Sequence, residues 1–231
     1  GELGGEDVLP LRDILKILRE AYTRKVGSAF MHLSDIEEKE WIQDRIEPMR
    51  NADLLSNEER RHIMKKLNAA EAFERFLHTK YIGHKRFSLE GSETMIPIID
   101  TLLSDAASKG MEEVVVGMAH RGRLNVLANI IGKPYEQIFS EFEGNIDPST
   151  TQGSGDVKYH LGSEGVFTGS TGDEIQVTLA SNPSHLEAVN PAVQGMVRAK
   201  QDRLRTHSPE TAKNAFDAAF PLLIHGDAAF A

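Results

Sequence analysis

Apolar residues recur at helical spacing through the first third of the chain. The first stripe comprises Leu11, Ile14, Leu15, Leu18, Ala21 and Tyr22. A later stripe comprises Leu67, Ala70, Phe73, Phe76 and Leu77. Spacings of three and four residues place such side chains on one face of a helix, which then packs against a core. We therefore predict a helical N-terminal region over residues 1–85.

Two capping boxes predict where helices of this region begin. Ser34 is followed three residues later by Glu37, and Ser56 is followed in the same way by Glu59. A serine hydroxyl at a helix start accepts a bond from the backbone N–H three residues on, and the glutamate returns the contact. Helices are thus expected to begin directly after Ser34 and Ser56.

From about Arg86 the pattern changes to short apolar runs that alternate with helical stretches. The strand-like runs are 113–118, 175–180 and 220–224. The predicted helices are 95–103, 124–131 and one whose start is marked by Ser184 and Glu187. Strands that alternate with helices are typical of a parallel sheet. We predict an α/β fold in which residues 86–231 form the N-terminal part of a domain.

Residues 144–172 separate the first two of these units and are rich in Gly, Ser, Thr and Asp. No apolar period runs through them. Such a composition favours loop structure, and a loop of this length in a compact domain is commonly functional or disordered. We predict a long loop that carries His160.

Composition narrows the classes of function. The 231 residues carry a net charge of −9 and contain no cysteine, which excludes disulfides, thiolate metal sites and a cysteine nucleophile. No basic stripe of the kind that binds nucleic acid is present, and the apolar runs are too short to span a membrane. We expect a cytoplasmic protein with neither nucleic acid nor membrane as a partner.

Histidine follows each predicted strand, at His120, His185 and His225. Ligands of open parallel sheets bind beyond the carboxyl ends of the strands, so these histidines and His160 are candidates for a site. The alternative is that they are structural residues. Three histidines at one kind of topological position favour the functional interpretation.

Charged residues at the same turns suggest what the site would bind. Arg121 and Arg123 lie on a tight turn before a helix, which suits a carboxylate or phosphate, although a solvated surface turn is the alternative. Asp227 follows Gly226 after the third strand and is placed to bind magnesium. The residues alone predict an α/β protein with an anion site and a metal site.

Four longer motifs occur in order, and together they carry a resemblance. They are residues 117–129, 153–162, 182–188 and 225–231. These motifs resemble the thiamine-diphosphate-dependent, decarboxylating first component of the 2-oxoglutarate dehydrogenase complex, its actinobacterial form in particular. The resemblance implies that thiamine diphosphate and Mg2+ are the cofactors and that the fold is the diphosphate-binding α/β domain.

The resemblance also implies roles for individual residues. Asp227 would bind Mg2+. The cofactor would be contacted by Arg121, Ser184, Leu186, Ala228 and Ala229. The active-site histidines would be His120, His160 and His185. His160, with Arg121 nearby, would hold the distal carboxylate of 2-oxoglutarate.

The implied reaction is oxidative decarboxylation of 2-oxoglutarate in the tricarboxylic acid cycle. The succinyl group would pass to the lipoyl arm of a dihydrolipoyl succinyltransferase, and the enzyme would be a homodimer. Alternatives are a decarboxylase of 2-oxoadipate or a non-catalytic cofactor-binding module. The family's second metal ligand and its activating glutamate would lie beyond Ala231. The fragment alone is therefore expected to be truncated inside the Gly-Asp-Ala motif and inactive.

Overall fold

The computed structural model describes residues 8–24, 26–49, 55–143, 157–183, 185–207 and 215–230. The chain divides into two compact units, residues 1–62 and 63–231. The helices are α1 (Leu11–Tyr22), α2 (Ile36–Met49), α3 (Asn57–Lys80), α4 (Met95–Ser108), α5 (Arg123–Val126), α6 (Tyr135–Phe142), α7 (Asn190–His207), α8 (Ala215–Ala218) and α9 (Asp227–Phe230). The strands are β1 (Glu113–Met118), β2 (Ser163–Thr168), β3 (Glu174–Leu179) and β4 (Ala219–Ile224). A π-helix covers Leu127–Ile131 and a 3-10 turn covers Val157–Tyr159.

The first unit pairs α1 with α2. Ile17 and Ala21 are the buried residues of α1, and the ring of Tyr22 stacks on that of Phe30 with centroids 6.3 Å apart. The Tyr22 hydroxyl donates a 2.9 Å hydrogen bond to Oε1 of Glu47, a buried residue of α2. A polar contact therefore joins the two helices beside a small apolar one.

The helical predictions for this unit hold in part. The α1 helix is confirmed, and Ala21 of the predicted apolar face is buried. The predicted face is wrong at Leu11 and Leu15, which are exposed, whereas Ile17 is buried. The second capping box is confirmed, because the N–H of Glu59 donates to Oγ of Ser56 and the N–H of Ser56 donates to Glu59.

The first capping box is wrong. The residue that caps α2 is Asp35, whose Oδ1 accepts hydrogen bonds from the N–H groups of Glu37 and Glu38 at 2.9 and 3.2 Å. A carboxylate accepts both bonds at once and favours the positive end of the helix dipole, so it displaces the neighbouring Ser34 hydroxyl from this role.

The second unit is built on one sheet with the strand order β2-β3-β1-β4. β1 pairs in parallel with both β3 and β4, while β2 pairs antiparallel with β3. Every residue of β1 is buried, as expected for the central strand of a sheet covered on both faces. The predicted α/β class and its parallel core are confirmed.

Alternate residues of β1 pack on opposite sides of the sheet. Val114 and Val116 join a core with α4, α5 and the π-helix, to which α3 also contributes. Val115 instead packs with Val189, Val193 and residues of α7. The segment after β1 and the helix after β3 therefore cover opposite faces of the sheet.

The loop predicted over residues 144–172 is wrong where β2 forms, and its residues 144–156 lie outside the described part of the chain. The sequence of β2, Ser163 to Thr168, is mostly polar because this edge strand is largely exposed. At Gly165, a Cβ atom would lie 2.3 Å from the carbonyl oxygen of Ile131. β2 therefore packs directly against the end of the π-helix. No local sequence pattern predicts this contact.

The helix predicted from Ser184 and Glu187 begins instead at Asn190. Glu187 has a φ of 64°, which no helical residue adopts, and residues 186–189 form a turn. Ser184 lies outside the described residues. The turn lengthens the connection between β3 and α7, in which residues of the candidate site were predicted.

The domain boundary near residue 85 stays a prediction, since α3 runs across the limit of the two compact units at His62. Within the described ranges, no helix is both long enough and apolar enough to cross a membrane.

We predict that Gly165→Ala destabilises the second unit by about 1–3 kcal/mol, because the added methyl group displaces β2 from the carbonyl of Ile131. Gly195→Ala is the matched control. Gly195 lies within α7 with open space around it, so alanine there should stabilise by about 0.5–1 kcal/mol. Urea unfolding of both variants measures the difference, and equal stability of the two would contradict the packing described.

We predict that the Tyr22 hydroxyl ionises at an unusually high pH. Burial, together with the hydrogen bond to Glu47, raises the pKa of Tyr22 to about 12. The raised pKa means that the folded state holds this proton more tightly than the unfolded state. The resulting stability is present below pH ~10 and is lost as the pH rises through ~12. Ultraviolet absorbance measures phenolate formation as the pH rises. In Tyr22→Phe, the component that titrates at the highest pH should be missing; an unchanged titration curve would refute the contact with Glu47.

Candidate functional site

The carboxyl ends of three parallel strands lie at one edge of the sheet. Val116 of β1 is level with Leu179 of β3, and Met118 is level with Ile224 of β4. The turns that follow these strands, 119–122, 180–183 and 225–226, are consequently neighbours. The predicted placement of His120 and His225 at a common edge is confirmed by this register.

A crevice is expected between the ends of β1 and β3. The chain leaves β1 toward the face covered by α5 and the π-helix, and it leaves β3 toward the face covered by α7. Adjacent parallel strands whose connections diverge in this way form the topological switch point at which open α/β sheets bind ligands. The candidate site therefore lies between His120 on one strand and Asn182 on the other.

Arg123 is fully buried beneath this crevice. Its Nη1 donates to the carbonyl of Met118 at 3.3 Å, and its Nη2 donates to those of Leu161 and Ala180 at 2.7 and 2.6 Å. Burial lowers the pKa of Arg123 to about 10, so the guanidinium is still charged at neutral pH. Among the described residues no carboxylate forms an ion pair with it. The expectation that both arginines of this turn face an anion is therefore wrong for Arg123.

The turn that directs Arg123 inward depends on Gly122. This glycine has a φ of 76° and precedes α5. A Cβ atom at this position would also lie 2.7 Å from the Leu89 side chain. The left-handed conformation and the close approach both require glycine, so the motif's glycine sets the direction of the arginine that follows it.

His120 rests on an aromatic stack. Its ring centroid lies 4.0 Å from that of Phe87, and Phe87 lies perpendicular to Tyr159 at 5.0 Å. The N–H of Phe87 also donates a 3.3 Å hydrogen bond to the Tyr159 hydroxyl. The imidazole of His120 therefore packs against the ring of Phe87, which in turn contacts Tyr159, at the edge of the crevice.

The segment that carries Phe87 is held by a buried carboxylate. Glu74 is 3% exposed, and its two oxygens accept hydrogen bonds from Asn125 at 3.1 Å and from the Ser88 hydroxyl at 2.8 Å. Nη1 of Arg86 lies 4.0 Å from the same carboxylate. Arg86 and Ser88, the sequence neighbours of Phe87, are thus bound to Glu74 of α3. These contacts hold the Phe87 ring in place beside His120.

His160 is bound to Asn182 through two hydrogen bonds. Nδ1 of His160 lies 2.8 Å from the carbonyl oxygen of Asn182, and the N–H of Asn182 donates to the carbonyl of His160 at 2.9 Å. A carbonyl oxygen only accepts, so Nδ1 must carry the proton of this bond. Nε2 is then the nitrogen that gains or loses a proton, which is the arrangement of an oriented acid or base.

The other predicted residues lie on exposed parts of the edge. Arg121 is exposed, with Nη1 3.5 Å from the carbonyl of Ser88. His185 and Leu186 lie on the exposed turn before α7, and Ser184 lies outside the described residues. Their assignments as site residues stay predictions.

Asp227 is exposed at the end of β4, beside the exposed Ala228 and the half-buried Ala229. Its Oδ1 accepts a 2.8 Å hydrogen bond from the N–H of Ala228, which leaves carboxylate lone pairs accessible. A hard oxygen donor of this kind fits Mg2+, which commonly takes one or two carboxylates together with phosphates. Within the described part of the chain, no group of three or more histidine, aspartate or glutamate residues could hold a metal ion unaided.

Sequence reasoning missed three residues that build the site. Arg123 resembles Arg121 in the sequence and is distinguished only by burial. Asn182 was part of a motif but was assigned no role, although its carbonyl orients His160. Phe87 lies 33 residues before His120, and no local signal connects them.

Comparison with known proteins identifies relatives over nearly the whole chain. The family model described as "Dehydrogenase E1 component" matches residues 64–231. The "Multifunctional 2-oxoglutarate metabolism enzyme" of Mycolicibacterium vanbaalenii is 55% identical over 223 residues, 96% of this chain and 17% of the relative. The "2-oxoglutarate dehydrogenase E1/E2 component" of Corynebacterium glutamicum is 54% identical over 234 residues, 100% of this chain and 18% of the relative. The chain therefore spans less than a fifth of the length of these relatives.

We predict that Arg123→Lys destabilises the second unit by about 2–4 kcal/mol, because one ammonium group cannot reach the three carbonyls that the guanidinium binds. Arg198→Lys is the matched control, since Arg198 forms an exposed ion pair with Asp202 and should change stability by less than about 0.5 kcal/mol. Urea unfolding distinguishes the two. A full-length Arg123→Lys protein as stable as the control would show that the buried contacts matter little.

Proposed function

Because this chain belongs to the dehydrogenase E1 component family, we propose that the full-length protein is a thiamine-diphosphate-dependent decarboxylase of 2-oxoglutarate. The observation that carries the proposal is the edge of the sheet at which the parallel strands end. His120 packs on Phe87 in the turn after β1, and Asp227 follows β4. His160 lies in the loop before β2 and is oriented by Asn182. The names of relatives 54–55% identical to this chain support 2-oxoglutarate as the substrate.

The β4 end of the edge would hold the cofactor's charged part. Asp227 would bind Mg2+ through its exposed carboxylate, and Ala228 and Ala229 would let the diphosphate approach the backbone. Arg121, Ser184 and Leu186 would contact the rest of the cofactor. Thiamine diphosphate, when bound, supplies the carbon nucleophile and electron sink that decarboxylation of a 2-oxo acid requires.

His160 would bind the carboxylate of 2-oxoglutarate that lies far from the reacting carbon. Its Nδ1 proton is committed to the carbonyl of Asn182, so Nε2 is the atom directed to a ligand. When protonated, Nε2 donates a charge-assisted hydrogen bond to a carboxylate, and the exposed Arg121 would add a second cationic donor. This pair would favour a 2-oxo acid with two carboxylates.

His120 and His185 would move protons during turnover. A histidine is suited to this because its pKa lies near neutrality. The contact of His120 with the Phe87 ring would help to orient the imidazole for a proton transfer to a bound ligand. His185 lies on the exposed turn before α7 and can adjust its position when a ligand binds.

The succinyl group would pass to a lipoyl arm of a dihydrolipoyl succinyltransferase. One relative is named as an E1/E2 component, which supports such a transferase either as a partner or as a further part of the same protein. We also propose that the enzyme is a homodimer that acts in the tricarboxylic acid cycle.

We predict that the full-length protein releases carbon dioxide from 2-oxoglutarate only with thiamine diphosphate and Mg2+. The substrate panel should include 2-oxoadipate and pyruvate, because His160 and Arg121 would accept any acid with a suitably placed second carboxylate. Greater turnover of 2-oxoadipate would favour the alternative substrate. A folded protein that binds the cofactor but turns over none of these acids would favour a non-catalytic module.

Variants of this protein assign the roles. His160→Ala should lower kcat/KM for 2-oxoglutarate by about 10- to 150-fold, the effect of one lost hydrogen bond to a charged group. Asp227→Ala should abolish the dependence on Mg2+ together with the activity. The exposed His32 and Asp217 provide matched controls, since His32→Ala and Asp217→Ala should retain full activity. Equal losses in variants and controls would contradict these assignments.

A further inference from the structure

The side chain of Asn182 contains a buried donor that the chain itself does not use. The residue is 5% exposed, and its Nδ2 has no hydrogen-bond acceptor among the described residues. Proteins pair almost every buried amide group, because an unpaired donor is costly when removed from water. A buried, unpaired amide beside a candidate site indicates a donor reserved for a bound ligand.

The backbone of Asn182 is held in a fixed position. Its N–H and its carbonyl are both engaged by His160, at 2.9 and 2.8 Å, and Pro183 follows with a fixed φ. Ala180, two residues earlier, is held by Arg123. Nδ2 is therefore carried by a rigid segment at the end of β3, next to the crevice between β3 and β1.

We propose that Nδ2 of Asn182 donates a hydrogen bond to an oxygen of the bound 2-oxo acid, so that Asn182 and His160 hold the substrate as a pair. This inference rests on the proposed function. An amide nitrogen is a donor without a lone pair for a cation, which directs it to a carboxylate or ketone oxygen and away from Mg2+.

The strand order favours the substrate over the diphosphate as the acceptor. Asp227 and the alanines after it follow β4, whereas Asn182 follows β3, and β1 lies between these two strands. Neighbouring strands are about 4.8 Å apart, so the two ends are separated by roughly 10 Å. The diphosphate would occupy the β4 side and the acid the β3 side, beside His160.

Asn182 is expected to act on substrate affinity and not on proton transfer. Replacement by alanine removes the side-chain donor but leaves the backbone carbonyl that fixes the tautomer of His160. Replacement by aspartate removes the donor and also places a negative charge beside His160 and an anionic substrate. The two substitutions should therefore differ in a way that simple loosening of the loop would not produce.

The test uses full-length protein, cofactor-free for calorimetry and loaded with thiamine diphosphate and Mg2+ for steady-state assays, with Asn182→Ala, Asn182→Asp and the control Asn129→Ala. The amide of Asn129 is already satisfied by Oδ1 of Asn125 at 2.7 Å. Calorimetry measures the Kd for thiamine diphosphate and, on the cofactor-free protein, for 2-oxoglutarate; steady-state assays give KM, kcat and their pH profiles.

We expect Asn182→Ala to raise KM and Kd for 2-oxoglutarate about tenfold or more, a loss of ~1.4 kcal/mol for each factor of ten. The Kd for thiamine diphosphate and the pH profile of kcat should stay unchanged. Asn182→Asp should raise KM further and move the pH profile upward, because a nearby carboxylate favours the protonated His160. The Asn129→Ala control should match the wild type.

Two kinds of failure are distinguishable. If the wild-type protein turns over 2-oxoglutarate and both Asn182 variants keep its KM and Kd, the role of Asn182 is refuted while the proposed function stands. Loss of thiamine diphosphate affinity in both variants would equally refute a role specific to the substrate. A wild-type protein that neither binds nor decarboxylates any 2-oxo acid would overturn the proposed function itself.

Discussion

The architecture of the site depends on one buried guanidinium. Arg123 joins the carbonyl oxygens at the end of β1, after the end of β3 and before the start of β2. Two of these hydrogen bonds are buried and the third is partly buried, and a buried carbonyl is costly when it has no donor. A cation that binds all three satisfies them and fixes the spacing of the strands. The cost of its burial is visible in its lowered pKa, and the carbonyl dipoles offset that cost.

The candidate catalytic groups gain their orientation from this arrangement. Arg123 holds Leu161, which directly follows His160, and Ala180, which lies two residues before Asn182. The pair of His160 and Asn182 is therefore built on two segments that are fixed close by. His120 is positioned from the other direction, by the aromatic stack beneath it. Rigid support of this kind allows a histidine to present one chosen nitrogen to a ligand without losing side-chain entropy at each turnover.

Sequence reasoning succeeded where one local pattern decides the structure. The apolar runs formed β1, β3 and β4, the three parallel strands of the sheet, and their register places the following turns together. It failed where long-range contacts decide. The polar strand β2 forms because Gly165 fits against Ile131, which lies 34 residues earlier. The proposed cofactor and substrate came from the resemblance, because periodicity carries no information about them. The resemblance also named exposed residues more readily than the buried ones that position them.

The strand order also separates the residues at this edge by their proposed function. Residues after β4 offer an exposed carboxylate suited to a metal ion, whereas residues around the end of β3 offer a neutral, buried donor and an oriented histidine. The turn after β1 lies between them and contributes both His120 and Arg121. Under the proposed function, the metal ion and the diphosphate would be bound after β4, whereas the acid would be chosen by residues beside β3. Substitutions beside β3 can therefore alter substrate preference while the metal and diphosphate residues stay unchanged, because β1 separates the two sets.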